Sequence, residues 1–181
     1  MKTSINGINI LKTHEGLRLR AYDDLQPSKV IASSSQVIGK LTIGYGHTGN
    51  DVFVGQIISE SKALEILIKD LVYFENNIDK NVKVPITQNI FDALVSFSYN
   101  VGNGNFNKST LLKLVNSNDF LGASNEFEKW TKSGGKILTG LVVRRESEKE
   151  LFMSGIGVSQ LKETSALANV GKAVLAIALF S

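Results

Sequence analysis

There is no cysteine in this 181-residue chain. That removes thiol nucleophiles, disulfides and cysteine-ligated zinc from the chemistry it can support, and a fold built without them suits a reducing or an oxidising compartment equally. Histidine is nearly as scarce, with His14 and His47 alone and no His-x-x-x-His pair, so a metal site is not expected. No Lys/Arg-rich run and no basic–aromatic alternation occurs, which disfavours nucleic acid as a partner. The formal net charge of +3 suits an anionic partner without identifying one. No window reaches the roughly 18 apolar residues of a membrane-spanning helix; the nearest, residues 166–180, carries Asn169 and Lys172. "MKTSINGINILK" lacks the continuous apolar core and small-residue cleavage site of a secretory leader. The Gly-x-Gly at 44–46 has no following Gly-Lys-Ser/Thr, so a phosphate loop is discarded.

What the chain does have is an ordinary globular composition, 43% hydrophobic and 8% aromatic, enough for one domain or a small lobe plus a larger one. Residues 4–15 read as a helix with Ser4 as its cap, Ile5, Ile8 and Leu11 on one stripe and Gly16 as its stop. "LRLRAY" and "LTIGYGH" alternate apolar with polar, and between them runs a Ser-rich excursion containing Pro27 and Gly39. Together they predict a small twisted antiparallel sheet. From Ser59 the period turns helical, with Ala63, Leu64, Leu67, Leu71 and Phe74 on one stripe. Pro85 breaks that helix, and Thr87 caps the next, whose Phe91, Leu94 and Val95 point inward. Further helices are expected at 109–117, 119–131 and 140–154. The fold class is therefore α+β: a small β lobe and a larger helical lobe, joined by a long helix and leaving a cleft between them.

One local rule is broken. Glu15 falls in the last helical turn, where the helix end is partially negative and an anion is disfavoured. Such breaches tend to mark working sites. Nine residues on, in a polar turn, lies Asp24. Two carboxylates in unlike surroundings are what glycosidic bond cleavage requires: one protonated, to give its proton to the leaving oxygen, and one ionised, to activate water or stabilise positive charge on the sugar. On spacing alone the commoner reading is an arginine-paired glutamate and a turn-capping aspartate. Thr42, heading "TIGYGHTG", would set a hydroxyl beside the carboxylates, and its glycines let the backbone approach a ligand closely. His47 reads as structural, paired with an acid on the joining helix such as Asp70.

These motifs, taken in order as "EGLRLRAYDD … LTIGYGHTG … QNIFDALVSFSYNVG … STLLKLVN … FEKWTKSGGKILTGLVVRRESEKELF", resemble the phage-type lysozymes, the endolysins of glycoside hydrolase family 24. The resemblance runs from about residue 5 to 154 and implies a lysozyme-like catalytic domain over 1–155 with a C-terminal tail over 156–181. It implies Glu15 as proton donor, Asp24 as the carboxylate that positions water or stabilises the transition state, and Thr42 as the third catalytic residue. His47, matching the family histidine that braces the site, joins Thr48, Tyr99 and Ser109 as substrate-binding positions. The implied substrate is peptidoglycan, cut between N-acetylmuramic acid and N-acetylglucosamine by a monomer with no cofactor. One departure stands out: Asp24 and Thr42 are 18 apart, about a dozen more than the compact family pattern. An elongated hairpin that returns Thr42 to its place is expected, with Asp23 as the alternative acid.

The later segments are read with two meanings each. Arg144 or Arg145 would approach and tune Glu15, or else form a surface pair with Glu148. Trp130 is a sugar platform or core. Residues 163–180, if helical, set Ser165, Asn169 and Lys172 on one stripe against an apolar remainder. That suits a helix lying in the interface of an anionic membrane, or one packed back on the domain. Without an export signal the expected location is the host cytoplasm, with release to the wall through a membrane lesion of the kind a holin makes. The competing functions are a non-catalytic wall-binding protein and a membrane-permeabilising protein acting through the tail.

Overall fold

The computed structural model describes residues 1–157. In chain order these form α1 (Ile5–Glu15), β1 (Arg18–Asp23), β2 (Leu41–Gly44), β3 (His47–Thr48), α2 (Glu60–Asn81), α3 (Gln88–Val101), α4 (Asn103–Lys108), α5 (Thr110–Asn116), α6 (Phe120–Glu126), β4 (Lys132–Ser133), β5 (Lys136–Ile137) and α7 (Thr139–Ser154). Short 3-10 turns occupy Ser34–Gln36 and Phe127–Trp130. The α+β class is therefore the one that forms. The chain divides into two compact units, Ile8–Tyr73, and Met1–Gly7 together with the chain from Phe74 onward, and the division falls inside α1 and inside α2.

In the Ile8–Tyr73 unit, α1 stops at Glu15 because Gly16 adopts φ +69°, a left-handed cap that costs glycine nothing. Its N–H reaches back to the Lys12 carbonyl at 3.2 Å. The sheet runs β1-β2-β3, antiparallel throughout. Tyr22 stands opposite Thr42, Asp23 opposite Leu41, Thr42 opposite Thr48 and Ile43 opposite His47. The α2 stripe forms as its spacing demands: Ala63, Leu67 and Leu71 are buried with Leu11, Ile43 and Tyr45, each large side chain contributing roughly 1.5–3 kcal/mol. The Ser59 hydroxyl accepts the Lys62 N–H at 3.2 Å and caps α2. Residues 25–39 form an irregular loop carrying the first 3-10 turn, where a longer hairpin had been expected. The chain nonetheless returns to the sheet opposite the point at which it left.

The other unit is built on α3, buried from Ile90 to Ser98, with α7 packed along it. Phe97 meets Phe127 and Trp130 edge-on, with ring centroids 5.4 and 5.3 Å apart, and Phe127 meets Phe152 at 5.5 Å. Half-buried Trp130 thus extends the aromatic core. Gly134 and Gly135, both at positive φ, turn the β4–β5 hairpin, while α4 had no forerunner in the sequence pattern. Among the described residues no helix is long and apolar enough to cross a membrane. The interfacial-helix reading of 163–180 lies outside the described residues.

Three local expectations are corrected. Ile5 is 79% exposed and Ile8 half-buried, so of that stripe only Leu11 is core. The first turn of α1 instead buries Gly7, where a Cβ would come within 2.8 Å of the Asp92 Cγ. Thr87 makes no side-chain cap; its hydroxyl donates to the Gly155 carbonyl at 2.9 Å. The Arg144–Arg145–Glu148 group is not a surface pair. All three are buried, at 4%, 0% and 0% exposure, with Arg144 Nε donating to Glu148 Oε1 at 3.0 Å and Arg145 Nε 3.1 Å from Oε2.

Candidate active site

Glu15, Asp24, Thr42, His47 and Thr48 all belong to the Ile8–Tyr73 unit, whereas Tyr99 and Ser109 belong to the other. Glu15 is the final residue of α1 and half-buried; Asp24 follows β1 and is exposed. Between them on β1, the Tyr22 hydroxyl senses both. Burial raises its pKa, the Arg18 guanidinium 5.5 Å from the ring centroid opposes this, and the charges of Asp24 and Glu15 raise it further. The two carboxylates therefore act electrostatically on one side chain at the strand that separates them.

The 25–39 loop closes on the acid pair Asp23–Asp24. Asp24 and Lys40 bond reciprocally, Asp24 N–H to the Lys40 carbonyl at 3.0 Å and Lys40 N–H to Asp24 Oδ1 at 2.7 Å. Asp23 is fully buried and accepts from the backbone N–H groups of Leu25 (3.0 Å), Ile38 (2.7 Å) and Gly39 (3.0 Å) and from the Gln26 amide (3.0 Å). Burial alone would raise its pKa; these donors, Ile38 foremost, overcome that and hold it down at about 2. Asp23 is thus a structural anion that organises the loop, and the alternative assignment of Asp23 as the working acid is set aside. The sequence signal was the adjacent aspartates at a strand end. What could not be read was which one turned inward.

Thr42 is 4% exposed on β2, and its hydroxyl donates to the Lys40 carbonyl at 3.2 Å. That contact uses the hydroxyl proton and leaves oxygen lone pairs able to accept from water. Thr48 is exposed directly across the β2–β3 pair. His47 is bracketed: Nδ1 lies 2.8 Å from Asp70 Oδ2, as the sequence suggested, and Nε2 lies 3.1 Å from Asp51 Oδ1, which sequence reasoning missed although Asp51 follows four residues later. Burial favours the neutral ring, but the hydrogen bonds to Asp70 and Asp51 outweigh it and raise the His47 pKa. Asp70 is pushed up by burial against the pull of His47, while the His47 hydrogen bond draws Asp51 down. Among the described residues no cluster of His, Asp or Glu is arranged to hold a metal.

In the other unit Tyr99 is half-buried, its ring 5.0 Å from that of Phe74. Ser109 is 4% exposed; its hydroxyl donates to the Phe106 carbonyl at 2.7 Å and accepts the Leu112 N–H at 3.1 Å, capping α5. Its one donor proton is thus committed to the fold.

Comparison with known proteins agrees with this architecture. A family model described as phage lysozyme matches residues 12–148. An endolysin of Bacillus phage B103 is 48% identical over 165 residues, covering 91% of this chain and 59% of the relative. A SAR-endolysin of bacteriophage PS119 is 40% identical over 141 residues, covering 78% of this chain and 77% of that one. A crystal structure of a P22 lysozyme mutant superposes with TM-score 0.73 at 38% identity, over 84% of this chain and 99% of that one. The chain spans about 60% of the length of the Bacillus phage endolysins it matches.

Proposed function

We propose, from the premise that this chain belongs to the phage lysozyme family, that it is an endolysin-type muramidase hydrolysing the β-1,4 bond between N-acetylmuramic acid and N-acetylglucosamine in bacterial peptidoglycan. Glu15 donates a proton to the leaving glycosidic oxygen. The Asp24 carboxylate activates the attacking water or stabilises the oxocarbenium-like charge, and Thr42 accepts a hydrogen from that water. His47 braces β3 beside them, and Thr48 and Tyr99 contact sugar. Ser109 acts as a helix cap in this reading and not as a sugar contact. No cofactor takes part and the protein works as a monomer.

The observation that carries the reading is the reciprocal Asp24–Lys40 pair. It closes the inserted loop, and Thr42 pairs across from Tyr22, which supports reading Asp24 and Thr42 as one site despite the departure in spacing. Release to the wall through a membrane lesion, with the tail of residues 163–181 engaging anionic membrane, completes the proposal; deleting that tail and measuring liposome binding tests the second part.

The enzymatic reading is tested by turbidity loss of permeabilised cells together with mass analysis of released muropeptides. Wild type clears the suspension and releases fragments with a muramic acid reducing end. Glu15→Gln reduces the rate at least a hundredfold, the scale of a lost general acid. Undiminished clearing by Glu15→Gln would overturn the assignment of the acid.

A further inference from the structure

The outer face of β1 carries a feature the hydrolytic reading does not use. Arg18, Arg20 and Tyr22 of β1, where the pairing with β2 is irregular, line one cavity together with Pro27, Ser28, Lys29, Val30 and Ile31 of the inserted loop. With Ala21 and Gly55 they enclose a cavity of about 160 Å³. Among the described residues three cationic side chains line it and no carboxylate does. None of the three enters an ion pair among the described residues: Lys29 Nζ donates only to the Gln26 amide oxygen at 3.1 Å, and the Arg18 guanidinium lies over the Tyr22 ring. Elsewhere Lys2, Lys62, Lys129 and Lys149 each have a carboxylate partner. Clustering three cations without a counter-ion costs repulsion that a bound anion relieves.

We infer that this cavity is a binding site for an anionic group, phosphate or carboxylate, carried on a cell-wall polymer, separate from the groups that cut the glycan. Resting as it does on the muramidase reading for the identity of the polymer, the inference nonetheless draws on its own residues. Two arginines offer planar forks suited to an oxyanion, Lys29 adds a point charge from the loop, and the Ser28 hydroxyl a neutral donor. Ile31 is buried beneath the cations and half-buried Ala21 lies beside them, while Val30 is 81% exposed, so the site is a shallow, water-facing one whose affinity comes from its clustered charge. The volume lies below the roughly 300–1,000 Å³ of sites that swallow a whole small molecule. It fits one charged group of a longer chain, with the remainder left outside. Because Lys29 comes from residues 25–39, the site exists only through the insertion that sets this chain apart from the compact family pattern. The loop thus has a use of its own: it adds a wall contact next to the catalytic strand and raises residence on the polymer between cuts.

The test uses the full chain in the Glu15→Gln background, so that walls are not consumed. In ¹⁵N-labelled protein, inorganic phosphate and acetate are titrated separately against chloride at matched ionic strength. Amides of Arg18, Arg20 and residues 28–30 are expected to shift saturably with at least one of them. Co-sedimentation with purified walls is then compared for the parent, for Arg18→Gln/Arg20→Gln/Lys29→Gln, and for a charge-matched control, Lys113→Gln/Lys132→Gln/Lys136→Gln. The pocket variant is expected to bind at least tenfold more weakly and the control within twofold of the parent. Lys29→Gln alone, an exposed loop change that leaves the sheet intact, is expected to lose about threefold, which guards against a misfolded triple variant. Walls stripped of phosphodiesters with hydrofluoric acid, and walls with amidated carboxyls, identify which group is held; loss on either treatment supports the site. Equal losses in pocket and control variants, or none in either, would overturn it in favour of bulk charge. Release of muropeptides by the Glu15→Gln parent would instead count against the catalytic assignment, leaving the binding result to stand by itself.

Discussion

Asp23 and Gly39 meet at the neck of the inserted loop: the Gly39 N–H donates to both Asp23 carboxylate oxygens, at 3.0 and 3.2 Å. There is no space for a side chain there. A Cβ on Gly39 would lie 2.0 Å from Asp24 Oδ1, 2.6 Å from Asp23 Oδ1 and 2.7 Å from Leu25 Cγ. One glycine is thus packed against a buried structural carboxylate and the proposed working one together. Gly39→Ala is expected to displace Asp24, lowering lytic activity at least tenfold and stability by about 1–3 kcal/mol. Asp23→Asn should loosen the loop by a similar amount with less effect on Asp24 itself. Turbidity assays and urea melts on both variants check this; a fully active Gly39→Ala would mean the neck does not set the position of Asp24.

The same carboxylate makes the loop acid-sensitive. The folded pKa of Asp23 is held down at about 2, below the ordinary aspartate value near 4. Its contribution to stability is therefore complete above about pH 4 and lost as pH falls toward about 2. Amide exchange of Ile38 and Gly39, both donors to Asp23, should accelerate across that window relative to other protected amides. Exchange that stays proportionate throughout would show that the loop does not depend on this anion.

His47 titrates in the opposite sense. A folded pKa raised by Asp70 and Asp51 gives stabilisation that is full below the ordinary histidine value near 6.5 and fades as pH rises through the folded value. The Ile8–Tyr73 unit should lose about 1–2 kcal/mol, the worth of a charge-assisted hydrogen bond, from below pH 6.5 into the alkaline range. Asp70→Asn should flatten that slope, with Asp51→Asn having the smaller effect because Asp51 is the more exposed partner, its side chain 72% accessible against 24% for Asp70. Urea melts at pH 5.5 and 8.5 decide between these outcomes.

The buried cluster on α7 gives a larger effect. Glu148 is fully buried between Arg144 and Arg145 and accepts the Ser96 hydroxyl at 2.7 Å. Glu148→Gln removes a buried carboxylate that two buried guanidinium groups share and should cost ~3–5 kcal/mol, seen as a melting temperature lower by about 10 °C or more. A shift of a degree or two would mean the arginines relax into solvent.

Periodic features were legible in the sequence. Stripes at helical spacing gave α2 and α3, alternation gave β1 and β2, and Gly16 gave the end of α1, because each follows from local rules that the tertiary fold leaves in force. The proposed Asp24–Thr42 pairing was recognised only through a motif, and the bonding of Asp24 to Lys40 that closes the insertion is encoded by no local pattern. The misread features share one cause. Ile5, Thr87 and the surface placement of the Arg144–Arg145–Glu148 pairing were judged by their own segment, whereas burial and bonding there are decided by chain distant in sequence: Gly7 against Asp92, Thr87 on Gly155, Arg145 with Asn100. The cation-lined cavity was invisible for the same reason, since Lys29 approaches Arg18 and Arg20 only when the loop folds back.

Ser109 separates a motif's residue from a motif's role. The family resemblance marks it as a sugar contact, but its hydroxyl already donates to Phe106 and accepts from Leu112. If it is purely a cap, Ser109→Ala costs about 1 kcal/mol of stability and leaves KM for wall fragments within twofold, whereas Ser109→Asp, which still caps, restores most of that stability. A sugar contact would invert the result: KM would rise severalfold in Ser109→Ala, and Ser109→Asp would not rescue it, because a carboxylate can accept from the Leu112 N–H but cannot donate to a substrate carbonyl. Thermal melts and steady-state kinetics on the two variants distinguish the roles without reference to fold or family.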